Sequence, residues 1–313
     1  MRKDRRIFIT GSGGMVGESL VSLLRDSGYT NLLTPSSAEL DLRDAHATDA
    51  FFQREQPDTV LHLAARVGGI KANVADPVGF LADNLAITSN VIMGAHRHDV
   101  RTLINLGSSC IYPRECPQPM KEEYLLTGPL EPTNEGYALG KIAALKMCQY
   151  LHAQEGRNYF TLVPPNLYGI HERMDLEVSH VIAGIMLRLH AAKTEGKSEV
   201  ILWGTGSPRR EFLCADDLVL AILWFMEHVE AKDIPGNFLN IGSGTDLPIK
   251  DLAELISRVV GFTGTLTWDT NQPDGMPRKL MDCSRSHTFP WRPSVSLEAG
   301  ISQMYASFLS KQS

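Results

Sequence analysis

Apolar positions fall into two rhythms along the first half of the chain. Short continuous apolar runs predict buried strands, and stretches with apolar residues at helical spacing lie between them. Arg6 to Thr10 is predicted as a strand and Gly17 to Ser27 as a helix. Asn31 to Thr34 follows as a strand, Ala47 to Glu55 as a helix and Thr59 to Ala64 as a strand. Phe80 to His98 predicts a long helix, Thr102 to Leu106 a strand, Tyr137 to Glu155 a helix and Tyr159 to Pro164 a strand. Strands alternating with helices imply right-handed crossovers and a parallel sheet covered on both faces. The expected fold class is therefore α/β, a Rossmann-type doubly wound sheet.

Beyond Tyr168 the rhythm loosens. Ser179 to Lys193, Leu218 to His228 and Ile249 to Val260 predict helices; Val200 to Trp203 and Phe238 to Ile241 predict strands. Thr263 to Gln272 and the Pro-rich end read as irregular. The expected organisation is a dinucleotide-binding domain over 1–168 and a smaller C-terminal α/β substrate lobe over 169–313, with a segment near 215–242 returning to the first domain.

Composition narrows the class. The chain has 313 residues, 43% of them hydrophobic, enough for a packed core. A net charge of -6 argues against a general nucleic-acid binder. The five cysteines are scattered, with neither a disulfide framework nor zinc-ligand spacing, so no metal is expected and a reducing cytoplasm fits. No run reaches the ~18 uninterrupted apolar residues of a membrane span, and the first strand begins too early for a signal peptide.

The first strand runs into Gly11-Ser12-Gly13-Gly14-Met15-Val16-Gly17 and then a helix. Gly11 permits the turn, Gly14 lets backbone approach a pyrophosphate and Gly17 lets helix and sheet pack closely. The free N–H groups at the helix start then bind the anion. An NAD site usually carries an acid about 20 residues on. The region after the second strand is Thr34-Pro35-Ser36-Ser37, without an acid, which leans towards NADP, although no arginine is there to clamp a 2′-phosphate.

Tyr137 and Lys141 are four apart on a predicted helix and share a face. An ammonium beside a phenol is expected to lower the tyrosine pKa and ready it for proton transfer with a carbonyl oxygen. The fourth strand ends Leu106-Gly107-Ser108-Ser109-Cys110-Ile111-Tyr112-Pro113. If the chain stays extended, Ser108 and Cys110 face one cleft. Cys110 is then either an acid or base, or an inert buried thiol.

These segments, with Glu131-Pro132-Thr133-Asn134-Glu135-Gly136, Val67-Gly68-Gly69-Ile70, Asn166-Leu167-Tyr168-Gly169, Ser179-His180-Val181-Ile182, Trp203-Gly204-Thr205-Gly206, Arg210-Glu211-Phe212-Leu213 and Pro273-Asp274-Gly275, resemble the GDP-L-fucose synthases along nearly the whole chain. The resemblance implies a cytoplasmic, homodimeric, NADPH-dependent 3,5-epimerase and 4-reductase acting on GDP-4-keto-6-deoxy-D-mannose to give GDP-L-fucose. It implies a Ser108, Tyr137 and Lys141 triad, with Cys110 and His180 as an epimerase pair in which Cys110 acts as thiolate. It further implies a cofactor site from Gly11, Ser12, Gly13, Gly14, Met15, Val16 and Gly17, walled by the backbones of Leu106, Gly107, Ser108 and Ser109 and of Pro164, Pro165, Asn166 and Leu167, with Lys141 and His180. Arg188, Trp203, Arg210 and Asp274 match substrate-binding positions.

The chain departs from the pattern at Gly13 and Ser36-Ser37, where some members carry arginines, at Pro165, and at Gly169-Ile170-His171-Glu172-Arg173. The alternatives are an epimerase or reductase of another GDP-4-keto sugar, such as a 6-deoxy-heptose, and a non-catalytic dinucleotide-sensing module.

Overall fold

The computed structural model describes residues 2–175, 180–272 and 274–312. Ser179, the first residue of one expected helix, and Pro273, in one motif of the resemblance, lie outside the described residues.

The first half alternates β1 (Ile7–Thr10), α1 (Met15–Asp26), β2 (Leu32–Leu33), α2 (Ala45–Glu55), β3 (Thr59–His62), α3 (Ile70–Ala75), α4 (Pro77–Arg97), β4 (Thr102–Leu106), α5 (Glu135–Glu155), β5 (Asn158–Val163) and β6 (Asn166–Tyr168). The second half carries α6 (Val181–Thr194), β7 (Glu199–Trp203), β8 (Arg209–Cys214), α7 (Ala215–His228), β9 (Phe238–Asn240), β10 (Asp246–Pro248), α8 (Ile249–Val260), β11 (Thr265–Asp269), β12 (Arg278–Lys279) and α9 (Leu297–Ser310).

The main sheet is parallel, in the order β2-β1-β3-β4-β5-β9. Side chains two apart on a strand share a face, and β1 shows the consequence. Ile7 and Ile9 enter a core with Leu20 and Leu24 of α1 and Leu218, Ile222 and Phe225 of α7. Phe8 points the other way, to Phe51, Phe52, Val91, Ile92 and Ala95 of α2 and α4. Helices thus cover both faces, as the apolar runs require. α4 is long and apolar enough to span a membrane by composition, but here it is one of those covering layers, with Val91, Ile92 and Ala95 in that core. The strand order reverses at β1, so a crevice opens outside the carboxyl ends of β1 and β3.

A second core gathers Ile182, Met186 and Leu189 of α6, Leu252 and Ile256 of α8, and Ile301, Met304 and Phe308 of α9. It abuts small sheets built from β10-β8-β12 with β6 beside β8, and from β11 and β7. α9 approaches Tyr168 so closely that a Cβ on Gly300 would lie 2.4 Å from its hydroxyl oxygen. Two expectations fail here. Thr263 to Gln272 is not irregular: Thr265–Asp269 pairs in parallel with β7. The Pro-rich end contains α9, whose N-cap Ser296 accepts the Ala299 N–H.

Candidate active site

At the tip of β1, Gly11 has φ of 70°, and a Cβ there would lie 2.9 Å from the Ala64 nitrogen of the β3 end. A Cβ on Gly17 would fall 2.1 Å from the Gly11 carbonyl oxygen. Both positions therefore need glycine for the turn and helix to close. Gly14 N–H donates to Gly11 O, and Gly14 caps α1 without any side-chain cap, so the first N–H groups of the helix remain available to an anion. Gly13 has open space beside it. Ser12 reaches Thr34 O at 3.4 Å, Val16 is buried, and the Met15 sulfur lies beside Gly169.

The ends of β4 and β5 stay paired beyond the strands. Gly107 N–H donates to Leu162 O and Ser109 N–H to Pro164 O. The two expected cofactor walls, Leu106 to Ser109 and Pro164 to Leu167, are thereby brought side by side. Asn166 is held by its Nδ2 donating to Glu211 O at 3.0 Å.

The chain does not stay extended after Ser108, contrary to expectation. Ser109–Ile111 forms a 3-10 turn, capped by the Ser108 hydroxyl accepting from Cys110 N–H. Alternation therefore cannot align Ser108 with Cys110; the turn does so instead. The Ser108 hydroxyl lies near enough to the Cys110 thiol and the Tyr137 phenol to lower the pKa of each. Lys141, buried beneath them, donates from Nζ to Leu106 O at 2.8 Å, with Nζ 5.8 Å from the Tyr137 ring centre.

Burial dominates the titration of this cluster. The Tyr137 phenol is pushed up, not down, first by desolvation and then by Cys110; the Ser108 hydrogen bond opposes these. Lys141 is lowered to about 8 by burial, against the pull of Cys110. The Cys110 thiol is raised by desolvation despite the Ser108 hydrogen bond and the nearby Lys279 and Lys141. The expected ready phenolate and ready thiolate are both corrected: removing water from these groups dominates, outweighing Ser108 at Tyr137 and Ser108, Lys279 and Lys141 at Cys110.

The facing wall comes from the second core. Arg188 on α6 lies 5.5 Å from the half-exposed Trp203 ring at the end of β7, and Lys71 on α3 lies 4.8 Å from the same ring. Arg210 on β8 is lowered by burial, opposed by Asp274 and Glu131. Asp274 Oδ1 accepts the Thr205 N–H and Oδ2 its hydroxyl, both at 2.7 Å, so this carboxylate fixes the turn after Trp203. Parallel pairing sets Lys279 of β12 opposite Arg210. Burial lowers the Lys279 ammonium, with Cys110, Arg210, Glu131 and Cys116 as its charged surroundings. His180 caps α6 and hydrogen-bonds Glu172 through Nδ1 at 2.9 Å. The structure thus joins Ser108, Cys110, Tyr137 and Lys141 in one cluster, sets Arg188 against Trp203 and leaves Arg210 within electrostatic reach of Asp274.

Lys71 and Lys279 were not singled out by sequence reasoning, and Glu172 entered only as part of the Gly169 to Arg173 loop that departs from the family pattern. Single charged residues on short elements carry no periodic signal; only the Asp274-Gly275 motif beside Lys279 offered a hint.

Comparison with known proteins places this geometry in context. Residues 7–242 match the NAD dependent epimerase/dehydratase family. GDP-L-fucose synthase 1 of Arabidopsis thaliana is 47% identical, over 98% of this chain and 94% of its own. The GDP-L-fucose synthase of Escherichia coli is 43% identical, over 98% of each chain. Among solved structures, a GDP-mannoheptose C4 reductase from Campylobacter jejuni with NADP bound superposes with a TM-score of 0.92 at 36% identity, covering 99% of both chains.

Proposed function

The chain belongs to the NAD dependent epimerase/dehydratase family, and from that premise we propose that it converts GDP-4-keto-6-deoxy-D-mannose to GDP-L-fucose. The reaction would invert C3 and C5 and then reduce C4 with NADPH. One observation carries the reading: the turn after β4 brings the Ser108 hydroxyl and the Cys110 thiol beside the Tyr137 phenol, above a buried lysine. A hydride-transfer site needs the tyrosine and lysine; the thiol beside them suits carbon-acid chemistry as well.

The residues fit a dinucleotide. Gly11 and Gly17 leave no room for side chains, which lets the turn and helix close, and the uncapped α1 start offers N–H groups to a diphosphate. Leu106 to Ser109, Pro164 to Leu167 and Lys141 would line its nicotinamide end, with His180 nearby. NADPH supplies the hydride for C4 when bound. Open space at Gly13 and the absence of an acid directly after β2 tolerate a 2′-phosphate without clamping it.

A 4-ketone acidifies the hydrogens on C3 and C5. Cys110 takes each proton in turn, and its desolvation makes the thiolate, once formed, a stronger base. Ser108 and Tyr137 donate hydrogen bonds to the enolate oxygen as charge develops there. The raised Tyr137 pKa then has a use: the phenol stays protonated near neutral pH and can protonate O4 during reduction. His180 returns a proton to the opposite face of the sugar. Arg210 and Lys279 pair with the GDP diphosphate, whose charge they suit. Arg188 and Trp203 border the rest of the ligand, and Asp274 holds that border in place.

We read residues 1–168, with the return near 215–242, as the cofactor domain, and the remainder as the substrate lobe. A homodimer is supported by exposed apolar side chains at Ile70, Val74, Val78, Leu85 and Leu139 on α3, α4 and α5. A cytoplasmic setting agrees with five free cysteines.

Product analysis by NMR after incubation with NADPH and GDP-4-keto-6-deoxy-D-mannose tests the proposal. GDP-L-fucose is expected; a D-configured deoxy sugar, or no turnover, contradicts it. The similarity to the heptose reductase favours a second reading, reduction of a GDP-4-keto-heptose. A faster kcat/KM on that sugar in the same assay would select it.

A further inference from the structure

We propose that Glu172 is the positioning residue for His180: its carboxylate holds the imidazole by Nδ1 and leaves Nε2 as the atom that exchanges a proton with the sugar. The inference rests on the epimerase reading given above. A carboxylate only accepts hydrogen bonds, so the 2.9 Å contact places the hydrogen on Nδ1. The two side chains differ sharply in exposure. That of Glu172 is 6% exposed and that of His180 57%. The acid is therefore an anchor inside the protein, and the imidazole projects from it with more than half of its side-chain surface exposed.

Each partner is held independently of the other. Glu172 N–H donates to Gly169 O, and His171 pairs with Glu18 of α1 at 2.7 Å. The Ile170 carbonyl accepts from Ser307 of α9 and from Lys311 just beyond it. The loop that carries Glu172 is thus tied to both cores. His180 is fixed through its carbonyl, which accepts from Gly184 N–H, and through the buried Ile182 and Ala183 that follow it. As N-cap of α6 it makes no side-chain cap bond. Its ring orientation is set by Glu172 rather than by its own helix. The same contact favours the imidazolium, with the hydrogen bond to Glu172 the largest influence and burial opposing it.

In the step itself, the Nε2–H bond of the imidazolium breaks and the enolate electron pair forms the new C–H bond, restoring the ketone. Neutral His180 then regains its proton from water, which its exposure permits. Glu172 touches neither sugar nor cofactor in this scheme.

The test compares Glu172→Gln, Glu172→Asp, His180→Asn and the Glu172→Gln/His180→Asn double variant. Three activities are read: deuterium exchange at C3 and C5, inversion to the L product, and NADP-dependent oxidation of GDP-L-fucose, which needs no epimerisation. General acids contribute about 10²–10⁴-fold, so Glu172→Gln is expected to slow inversion about tenfold or more. Its KM and the oxidation rate should stay within about twofold of wild type, and Glu172→Asp should recover most of the loss. The double variant should be no slower than His180→Asn alone, because the two residues act as one unit. Equal loss of inversion and oxidation, or additive losses in the double variant, would overturn the proposal and leave the pair a structural clip. ¹⁵N NMR of histidine-labelled protein gives a reading without substrate. Neutral His180 should carry its proton on Nδ1 in wild type and shift to Nε2 in Glu172→Ala; an unchanged tautomer overturns the proposal. Wild-type enzyme that cannot invert the keto sugar contradicts the proposed function, whereas inversion by wild type and Glu172→Gln at equal rates overturns this inference alone.

Discussion

The two walls of the cleft are built on opposite plans. The Ser108, Cys110, Tyr137 and Lys141 wall stands on the end of a central strand and on the long helix α5, and its reactive groups cluster closely enough to shift one another's pKa. The facing wall collects Arg188, Trp203, Arg210, Lys279 and His180 from separate short strands and a helix start. Buried, clustered groups have pKa values set mainly by loss of water, as Tyr137, Lys141 and Cys110 all show. The second wall is charged along one side and contributes cations. The difference suggests a division of labour under the proposed function: the first wall carries the proton-abstracting and ketone-binding groups, and the second holds the ligand and adds His180 as the opposing proton donor.

The largest expected effect breaks the first wall alone. Tyr137→Phe should lose reduction by about 10²–10⁴-fold, the usual weight of a positioned proton donor. NADPH binding, measured by fluorescence titration, should be nearly unchanged, because the proposed cofactor contacts come from backbone and Lys141. A near-normal kcat would remove Tyr137 from the chemistry.

Next in size is Lys279→Met, which probes whether the second wall acts chiefly in binding. A charge-assisted hydrogen bond is worth about 1.5–3 kcal/mol, so KM for the GDP sugar should rise about 10–100-fold with a smaller change in kcat. The same variant removes a cation that lowers the Cys110 thiol pKa. The thiol already lies above its ordinary range, so its alkylation by iodoacetamide should be slow near neutrality and climb as pH rises. Lys279→Met should shift that climb to higher pH. An unshifted profile would place Lys279 outside the influence of Cys110.

The second core offers a stability test. Gly300→Ala would push a Cβ to 2.4 Å from the Tyr168 hydroxyl oxygen. Overpacking of this kind costs about 1–3 kcal/mol, which a denaturant titration would detect; an unchanged midpoint would mean that α9 is free to shift. The smallest effect concerns cofactor choice. NADPH should be preferred over NADH, but more weakly than in relatives with an arginine clamp, since Gly13 and Ser36-Ser37 stand at those places. The ratio of the two kcat/KM values measures this, and a clear NADH preference would contradict it.

The same contrast governs what could be read from the sequence. β4 and α8 fall on their expected residues, because a continuous apolar run and an amphipathic period are local signals. Tyr137 and Lys141 were legible for the same reason, being four apart on one helix. β10 and β12 are too short for any period to show, and their pairing with β8 depends on residues far apart in the chain. α9 did carry apolar residues at helical spacing, Ile301, Met304, Tyr305 and Phe308, but the preceding Pro290 and Pro293 drew attention to a loop. The direction of the Tyr137 shift was illegible because spacing reveals a neighbouring lysine and not the depth of burial. The turn at Ser109 escaped for a related reason: it follows directly on an apolar strand whose pattern gives no sign of ending.

That one wall performs two chemistries is tested most directly by Cys110→Ser in deuterium oxide. NMR would follow the GDP-4-keto sugar in the presence of NADPH. Serine is a far weaker base than a thiolate, while Ser108, Tyr137 and Lys141 are untouched. Deuterium incorporation at C3 and C5 should disappear, and slow reduction of the unepimerised ketone should give a D-configured deoxy sugar. Exchange at the wild-type rate would make Cys110 a packing residue and the site a simple 4-ketoreductase, or one that uses another base.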